Sequence, residues 1–292
     1  MTCPDACVCF KPALQVTTVT EAGQGPALAP SSSRFLMDAG SACALESALT
    51  LRELGEVHHV ICISVAPKTS DPALAWCRAA GADRVLRVDV PSNANLNTRA
   101  TVALLAECIQ DTGAGLVLTG QRSIDEGNGL VAASLAAILD AAYLSNVADV
   151  QILEGEVKIS RRIERGHRQL WNARLPAVVA VDPEPKNYRY VSVANLALAK
   201  NESVETVAPS TENLKLISQH MGQTKLTPGR VRTRHSGLPA KGGTATDRMQ
   251  AMMGTTSKTV VRPPILRGDI DDLAERTLAF LKDKGLLPKS GE

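Results

Sequence analysis

The run from His59 to Val65, HVICISV, is apolar almost throughout and too short for a helix. A strand of that kind needs cover on both faces, which parallel sheets flanked by helices provide. The surrounding segments repeat this demand. Ala6 to Phe10 reads as a short buried strand. Ser41 to Leu54 reads as a helix whose Ala44, Leu45, Ala48, Leu49 and Leu51 form one apolar face, stopped by Gly55. After the apolar run, Ser70-Asp71-Pro72 supplies a cap and a first-turn proline for a helix that runs to Gly81. Asp83 to Val90 is a further strand. Asn97 caps a helix through Gln110, Leu116 to Leu118 is a strand ending near Gly120, and a helix is expected from about Gly127 to Asp140. Strands alternating with helices at this pace predict an α/β fold with a doubly wound, mostly parallel sheet.

Composition agrees with this reading and removes several functions. Hydrophobic residues make up 44% of the 292 and aromatics only 3%, so the core must be built from Ala, Val, Leu and Ile. A net charge of +2 gives no whole-chain argument for nucleic acid or an acidic membrane. No run approaches the ~18 apolar residues of a membrane span. Residues 1–10 lack a basic, then apolar, leader pattern, and seven cysteines with no framework spacing suit a reducing, cytoplasmic setting. Cys3, Cys7 and Cys9 fit no zinc spacing, and Cys7 and Cys9 read as alternating positions of the first strand. No metal site and no catalytic constellation is expected. His58 and His59 are adjacent beside a strand, and the other histidines are scattered.

Two regions break the pattern. Gln15 to Val19, followed by Gly23, Gly25 and Pro26, suggests a small hairpin leaving the sheet. Val147 to Leu153, Val157 to Ile163, Gln169 to Ala173 and Ala177 to Val181 read as short strands of an antiparallel addition. Residues 1–195 are therefore expected to form one domain. Residues 196–292 are expected to form an extended arm, polar over 201–263 and ending in a patterned helix from Asp269 to Leu287 that docks on this chain or on a partner.

Ligands of open α/β sheets sit at the carboxyl ends of the strands. The loops after Cys9, after Val65 and from Gly120 to Val131 are the candidates. In the third, Gly127, Asn128 and Gly129 lead into a helix whose first amides are free to bind an anion. It is neither a Walker loop nor a GxGxxG fingerprint, and spacing alone leaves an ordinary pair of loop glycines equally open.

Several collinear stretches resemble the electron transfer flavoprotein beta subunit family. They are Val8-Cys9-Phe10-Lys11-Pro12, Ala44 to Ala48, Ala80-Gly81-Ala82-Asp83-Arg84, and Leu116 to Asp125 (LVLTGQRSID). The most specific is Ile159 to Val181, in which Arg161, Glu164, Gly166, Gln169 and Leu175 to Val179 match and Arg165 stands where Gly or Asp is usual. Tyr188 to Lys200 and Asp271 to Leu287 match further on, while residues 205–265 have no counterpart.

The resemblance implies an adenine nucleotide α-hydrolase-like fold and a heterodimer. The alpha subunit would hold most of a redox-active FAD, and this chain would bind a structural AMP, with a second FAD in its place as the alternative. It implies an electron carrier that takes electrons from a flavin dehydrogenase, acyl-CoA or N-methylamine, and passes them to a quinone oxidoreductase. Carried over by position, the nucleotide contacts fall on Cys9, Asp38, Ala39, Gly40, Ser41, Val65, Gly120, Gln121, Arg122, Ser123, Ile124, Asp125, Glu126, Gly127, Asn128, Gly129, Leu130 and Val131. Asp38-Ala39 replaces a common Asn-Pro, and Leu130-Val131 replaces Gln-Thr, so backbone amides take over from a lost hydroxyl. Val16 stands where the family places an aromatic near the flavin. Val193 matches an apolar anchor for dehydrogenases. Arg161, Arg162, Arg165, His167 and Arg168 read either as contacts to the alpha subunit or as a solvated hairpin face. Two rivals remain. One is a stress-type nucleotide-binding module without flavin. The other is an adenylyl-transferring ligase, for which the required Ser- and Gly-rich loop is not seen.

Overall fold

The computed structural model describes residues 3–16, 19–22, 25–28, 33–92, 94, 96–183, 188–219, 246, 249 and 268–283. The chain divides into two compact units, 1–228 and 229–292.

The first unit opens with β1 (Ala6–Cys9). The strands β2 (Pro12–Val16), β3 (Val19–Ala22), β4 (Gly25–Leu28) and β5 (Ser33–Met37) follow. β2 pairs antiparallel with β5, and β3 with β4, as two small ribbons outside the main sheet. This is the expected excursion. The alternation then proceeds through α1 (Ala39–Glu53), β6 (Val60–Ala66), α2 (Asp71–Ala80), β7 (Arg84–Asp89), α3 (Thr98–Thr112), β8 (Leu116–Gly120) and α4 (Val131–Ile138). β9 (Ala142–Leu153), β10 (Glu156–Arg162), β11 (Arg168–Arg174) and β12 (Ala177–Val181) come next. They are followed by α5 (Val193–Asn201), β13 (Glu205–Val207) and α6 (Thr211–Gln219).

Nine strands form one sheet in the order β11-β10-β9-β12-β8-β1-β6-β7-β13. From β9 to β13 every neighbouring pair is parallel, and β10 and β11 add an antiparallel edge. The α/β class and the mostly parallel sheet are as the sequence predicts. Ala177–Val181 is the exception. It is not part of the hairpin addition but a fully buried parallel strand between β8 and β9. Its run AVVAV has no polar face, which a solvated antiparallel ribbon would require.

Strand alternation divides the core into two layers. On β6, Val60 and Cys62 face one side with Leu45 and Leu49 of α1 and Leu74 of α2. Ile61 and Ile63 face the other with Leu104 and Ile109 of α3 and Leu135 of α4. Helix ends follow local chemistry. Asn97 Oδ1 accepts from the Ala100 amide at 2.9 Å to cap α3. α4 begins at Val131, later than the glycine-based expectation, because Gly127 and Gly129 hold φ of 65° and 66° and interrupt helical geometry.

In the second unit, α7 (Ile270–Asp283) is amphipathic in sequence yet buries no side chain among the described residues, and Leu278 and Phe280 are exposed. No helix among the described residues is long and apolar enough to cross a membrane.

Candidate functional site

The chain runs from β1 through β6 to β7 on one side of the sheet and returns to place β8 on the other side of β1. That reversal leaves a crevice at the carboxyl edge of the strands. A pocket of about 340 Å³ lies there, at the lower end of the range that small ligands occupy.

Its floor is built by close backbone approach. A Cβ on Gly120 would lie 2.8 Å from the carbonyl carbon of Gly40 and 3.0 Å from the Ser41 nitrogen, so the start of α1 crosses the end of β8 only because position 120 is glycine. Asp38 fixes this crossing. It is 3% exposed, and its Oδ2 accepts from the Ser41 amide at 3.0 Å to cap α1. Its Oδ1 accepts from the Ile124 amide at 2.9 Å. Ser41 Oγ in turn accepts from the Lys11 amide at 3.1 Å. One carboxylate thus ties together the ends of β5 and β8, and the two amides partly offset its charge.

The far wall is the start of α4. Leu130 at the N-cap supplies no side-chain acceptor, so the first amides of the helix keep their hydrogen-bonding capacity. Val131 and Ala132 line the pocket. Gly129, at φ 66°, turns the backbone into this position. Asn128 braces the turn. Its Oδ1 accepts from the Leu130 amide at 3.2 Å, and its Nδ2 donates to Thr98 Oγ1 at 2.9 Å.

Across the mouth, Lys11 Nζ lies 2.8 Å from Asp125 Oδ1 and 3.7 Å from Glu126 Oε1. Burial alone would raise the Asp125 carboxyl. Hydrogen bonds from Lys11, Ser123 and the Glu126 amide outweigh it and hold the group below its ordinary value. These side chains are well exposed, so the pair is worth at most ~1 kcal/mol.

Of the positions drawn from the sequence, Cys9, Asp38, Ser41, Val65, Gly120, Gln121, Arg122, Ser123, Asp125, Glu126, Asn128, Gly129 and Val131 line this one pocket. Ala39, Gly40, Ile124, Gly127 and Leu130 do not. Gly40 lies beneath the floor, and Ile124 and Leu130 point to solvent. Sequence reasoning missed a whole wall made of Val90, Pro91, Ser92, Ala94 and Leu96 after β7 and Thr98 and Thr101 of α3. The available signal was positional, because this loop also follows the carboxyl end of a parallel strand.

Two further features bear on the site. Arg189 Nε and Nη2 donate to the two carboxylate oxygens of Glu46, each at 2.9 Å, and Nη1 donates to Glu53 at 2.7 Å. Its guanidinium is held above its ordinary value by the Glu46 hydrogen bonds first. This grip on α1 presents Tyr190, 87% exposed, and Val193, 76% exposed. At the bulge between β9 and β10, a second concavity is lined by Asn146, Arg161, Arg162, Ile163, Glu164 and Asp182. Arg161 Nε is buried there without a hydrogen-bond partner. Arg165 adopts φ 60°, left-handed backbone that explains why Gly or Asp is usual at this position.

The electron transfer flavoprotein domain matches residues 28–212. The electron transfer flavoprotein subunit beta of Dictyostelium discoideum is 27% identical over 60% of this chain and 71% of its own. The human subunit beta is 29% identical over 60% and 69%. The probable subunit beta of Saccharomyces cerevisiae is 27% identical over 64% and 75%. The domain match over residues 28–212 and these relatives establish that the chain belongs to the electron transfer flavoprotein beta subunit family.

Proposed function

We propose that the chain is the beta half of a heterodimeric electron transfer flavoprotein and that its pocket holds AMP as a structural nucleotide. The observation that carries this reading is the pairing of free helix-start amides at Val131 and Ala132 with a cavity of about 340 Å³ whose opposite wall is apolar. A phosphate suits the amides, which carry partial positive charge. An adenine ring suits the wall made by Cys9, Val65, Val90 and Leu96. The charge of Asp38 is partly offset by the two backbone amides its oxygens accept, and the reading places the adenosine rather than the phosphate on its side of the pocket. Backbone amides here replace the hydroxyl that Val131 lacks. The same cavity is the place for the alternative occupant, a second FAD.

In this reading the sheet is of the adenine nucleotide α-hydrolase-like kind; residues 196–219 complete its edge through β13 and bury Ile217 of α6 in the core, and the residues beyond serve the alpha subunit, with α7 offering its apolar side chains to that partner. The FAD, held mainly by the alpha subunit and shared at the interface, supplies the redox chemistry. This chain has no substrate of its own. Its residues exclude water from the nucleotide, orient the Arg161 edge toward the partner and present Val193 to dehydrogenases. Electrons pass onward to a quinone oxidoreductase, in the cytoplasm.

The test is co-expression with the alpha subunit. The purified complex should be yellow and release one AMP per heterodimer on denaturation. A yellow complex without AMP would sink the nucleotide assignment alone, and a colourless one with no adenine nucleotide would sink the carrier reading.

A further inference from the structure

At the opposite edge of the sheet from the pocket, Asp5, His58 and His59 bring three metal-ligating side chains together, among the described residues. Strand register places them. β1 and β6 pair parallel with Ala6 opposite Val60, so Asp5 and His59, one residue earlier on each strand, become neighbours. The backbone is fixed by the Ala6 amide donating to the His59 carbonyl at 2.9 Å and the His58 amide donating to the Pro4 carbonyl at 3.0 Å. The His59 amide donates to Asp5 Oδ1 at 3.0 Å and holds the carboxylate in place.

We propose that this trio binds a borderline divalent transition ion, with Zn²⁺ as its representative. The donors are two imidazole nitrogens and one carboxylate oxygen, a set such ions accept and Ca²⁺ and Mg²⁺ do not favour. The separations fit. Ligands at ~2.0–2.1 Å around a tetrahedral ion lie ~3.3 Å from one another. Here His59 Nδ1 is 3.1 Å from Asp5 Oδ1, His58 Nδ1 is 2.8 Å from His59 Nδ1, and His58 Nδ1 is 3.9 Å from Asp5 Oδ1. The rings meet edge to face, with centroids 4.0 Å apart and planes at 85°, so they do not stack, and the three donor atoms lie within 4.8 Å of one another. Without a cation one imidazole has to donate to the other; with one, both lone pairs turn inward. Both rings are exposed, so water completes the coordination sphere. The site is independent of the nucleotide and flavin assignments.

The test uses the full-length chain without a histidine tag, stripped of metal and carrying Cys3→Ser, because the Cys3 thiol is exposed nearby in sequence. Titration calorimetry with Zn²⁺ should give one ion per chain. His59→Gln and Asp5→Asn should each weaken binding by at least the ~10–100-fold that loss of a supporting hydrogen bond costs a metal site. Zn²⁺ should raise the melting temperature of the Cys3→Ser chain and not that of its His58→Gln derivative, an exposed substitution that leaves the strands intact. Ca²⁺ should give no saturable heat. Equal Zn²⁺ affinity in all variants, no stoichiometric binding, or equal binding of Ca²⁺ would overturn the assignment.

Discussion

Asp38→Asn tests how the pocket floor is held. The carboxylate accepts on both sides at once, from the Ser41 amide through Oδ2 and from the Ile124 amide through Oδ1. Asn caps helices as well as Asp, so α1 keeps its cap. The amide side chain has only one oxygen, however. Whichever way it turns, its NH₂ group faces a backbone N–H about 3 Å away, where no hydrogen bond is possible. A buried hydrogen bond to a charged group is worth ~1.5–3 kcal/mol, and the variant forfeits one. Water reaching the Ile124 amide, whose side chain is exposed, favours the lower half of that range. At ~2–4 °C per kcal/mol for a unit of this size, the melting temperature should fall by ~3–9 °C. Urea denaturation gives the global loss, and amide hydrogen exchange at Ile124 gives the local one, which should accelerate. Asp38→Ala, which loses the cap as well, should cost more than Asp38→Asn. If Asp38→Asn stays within ~0.5 kcal/mol of the parent with unchanged exchange at Ile124, the idea that this carboxylate ties β5 to β8 is wrong.

Further consequences are open to direct measurement. Gly120→Ala drives a Cβ into Gly40 and Ser41 backbone that cannot move aside, so it should cost ~1–3 kcal/mol in urea denaturation and lower occupancy of the proposed nucleotide pocket, while Gly115→Ala, whose nearest neighbour is a side-chain atom at 3.4 Å, should stay near neutral. Arg165→Gly removes a left-handed Arg and should raise stability by ~1 kcal/mol; a loss would refute the strain. Burial pushes the thiol of Cys7 up to about 12 and that of Cys108 up to about 11, from an ordinary 9.0. Because the unfolded chain ionises first, their contribution is complete below pH 9 and is lost as pH rises toward those values, at ~1.4 kcal/mol per pH unit for each thiol. Stability measured from pH 8 to 10.5 should fall accordingly, and native alkylation at pH 8 should label Cys3 and spare the buried Cys7, Cys9 and Cys108. Arg189→Gln should loosen the segment carrying Val193; if Val193 is the proposed anchor, the KM for a dehydrogenase rises while occupancy of the proposed AMP site is unchanged.

Much of the fold was legible because helix and strand signals here agree with their surroundings. HVICISV and LVLTG demand burial on both faces, Asn97 caps where a cap is needed, and the ordering of elements dictates a parallel sheet. Ala177–Val181 was misplaced for an equally physical reason. Its neighbours in sequence, β10 and β11, form a hairpin, and proximity along the chain suggested a shared ribbon. Only the absence of any polar alternate position in AVVAV spoke against it.

The site was legible in a different way. A strand end followed by a glycine-bearing turn suggests backbone amides open to an anion, and most of Gly120 to Val131 does line the pocket. What closes the cavity is not local. The wall after β7 reaches the pocket because β7 is two strands from β1, a fact of sheet order that no spacing encodes. The same holds at the other edge, where Asp5 and His59 stand 54 residues apart and meet through a parallel register. The two edges nonetheless share one logic. In a parallel sheet the side chains just outside a strand end are aligned by the register of the strands, so distant residues are delivered to one point without a dedicated loop. If that logic governs the amino edge as it does the carboxyl edge, weakening β1–β6 pairing should disturb the trio and the pocket together. A buried, volume-reducing change such as Val8→Ala, costing ~1–3 kcal/mol, should lower Zn²⁺ and AMP affinity in the same variant. Retention of both at full strength would mean that each edge is organised by its own loops, and the register argument would fail.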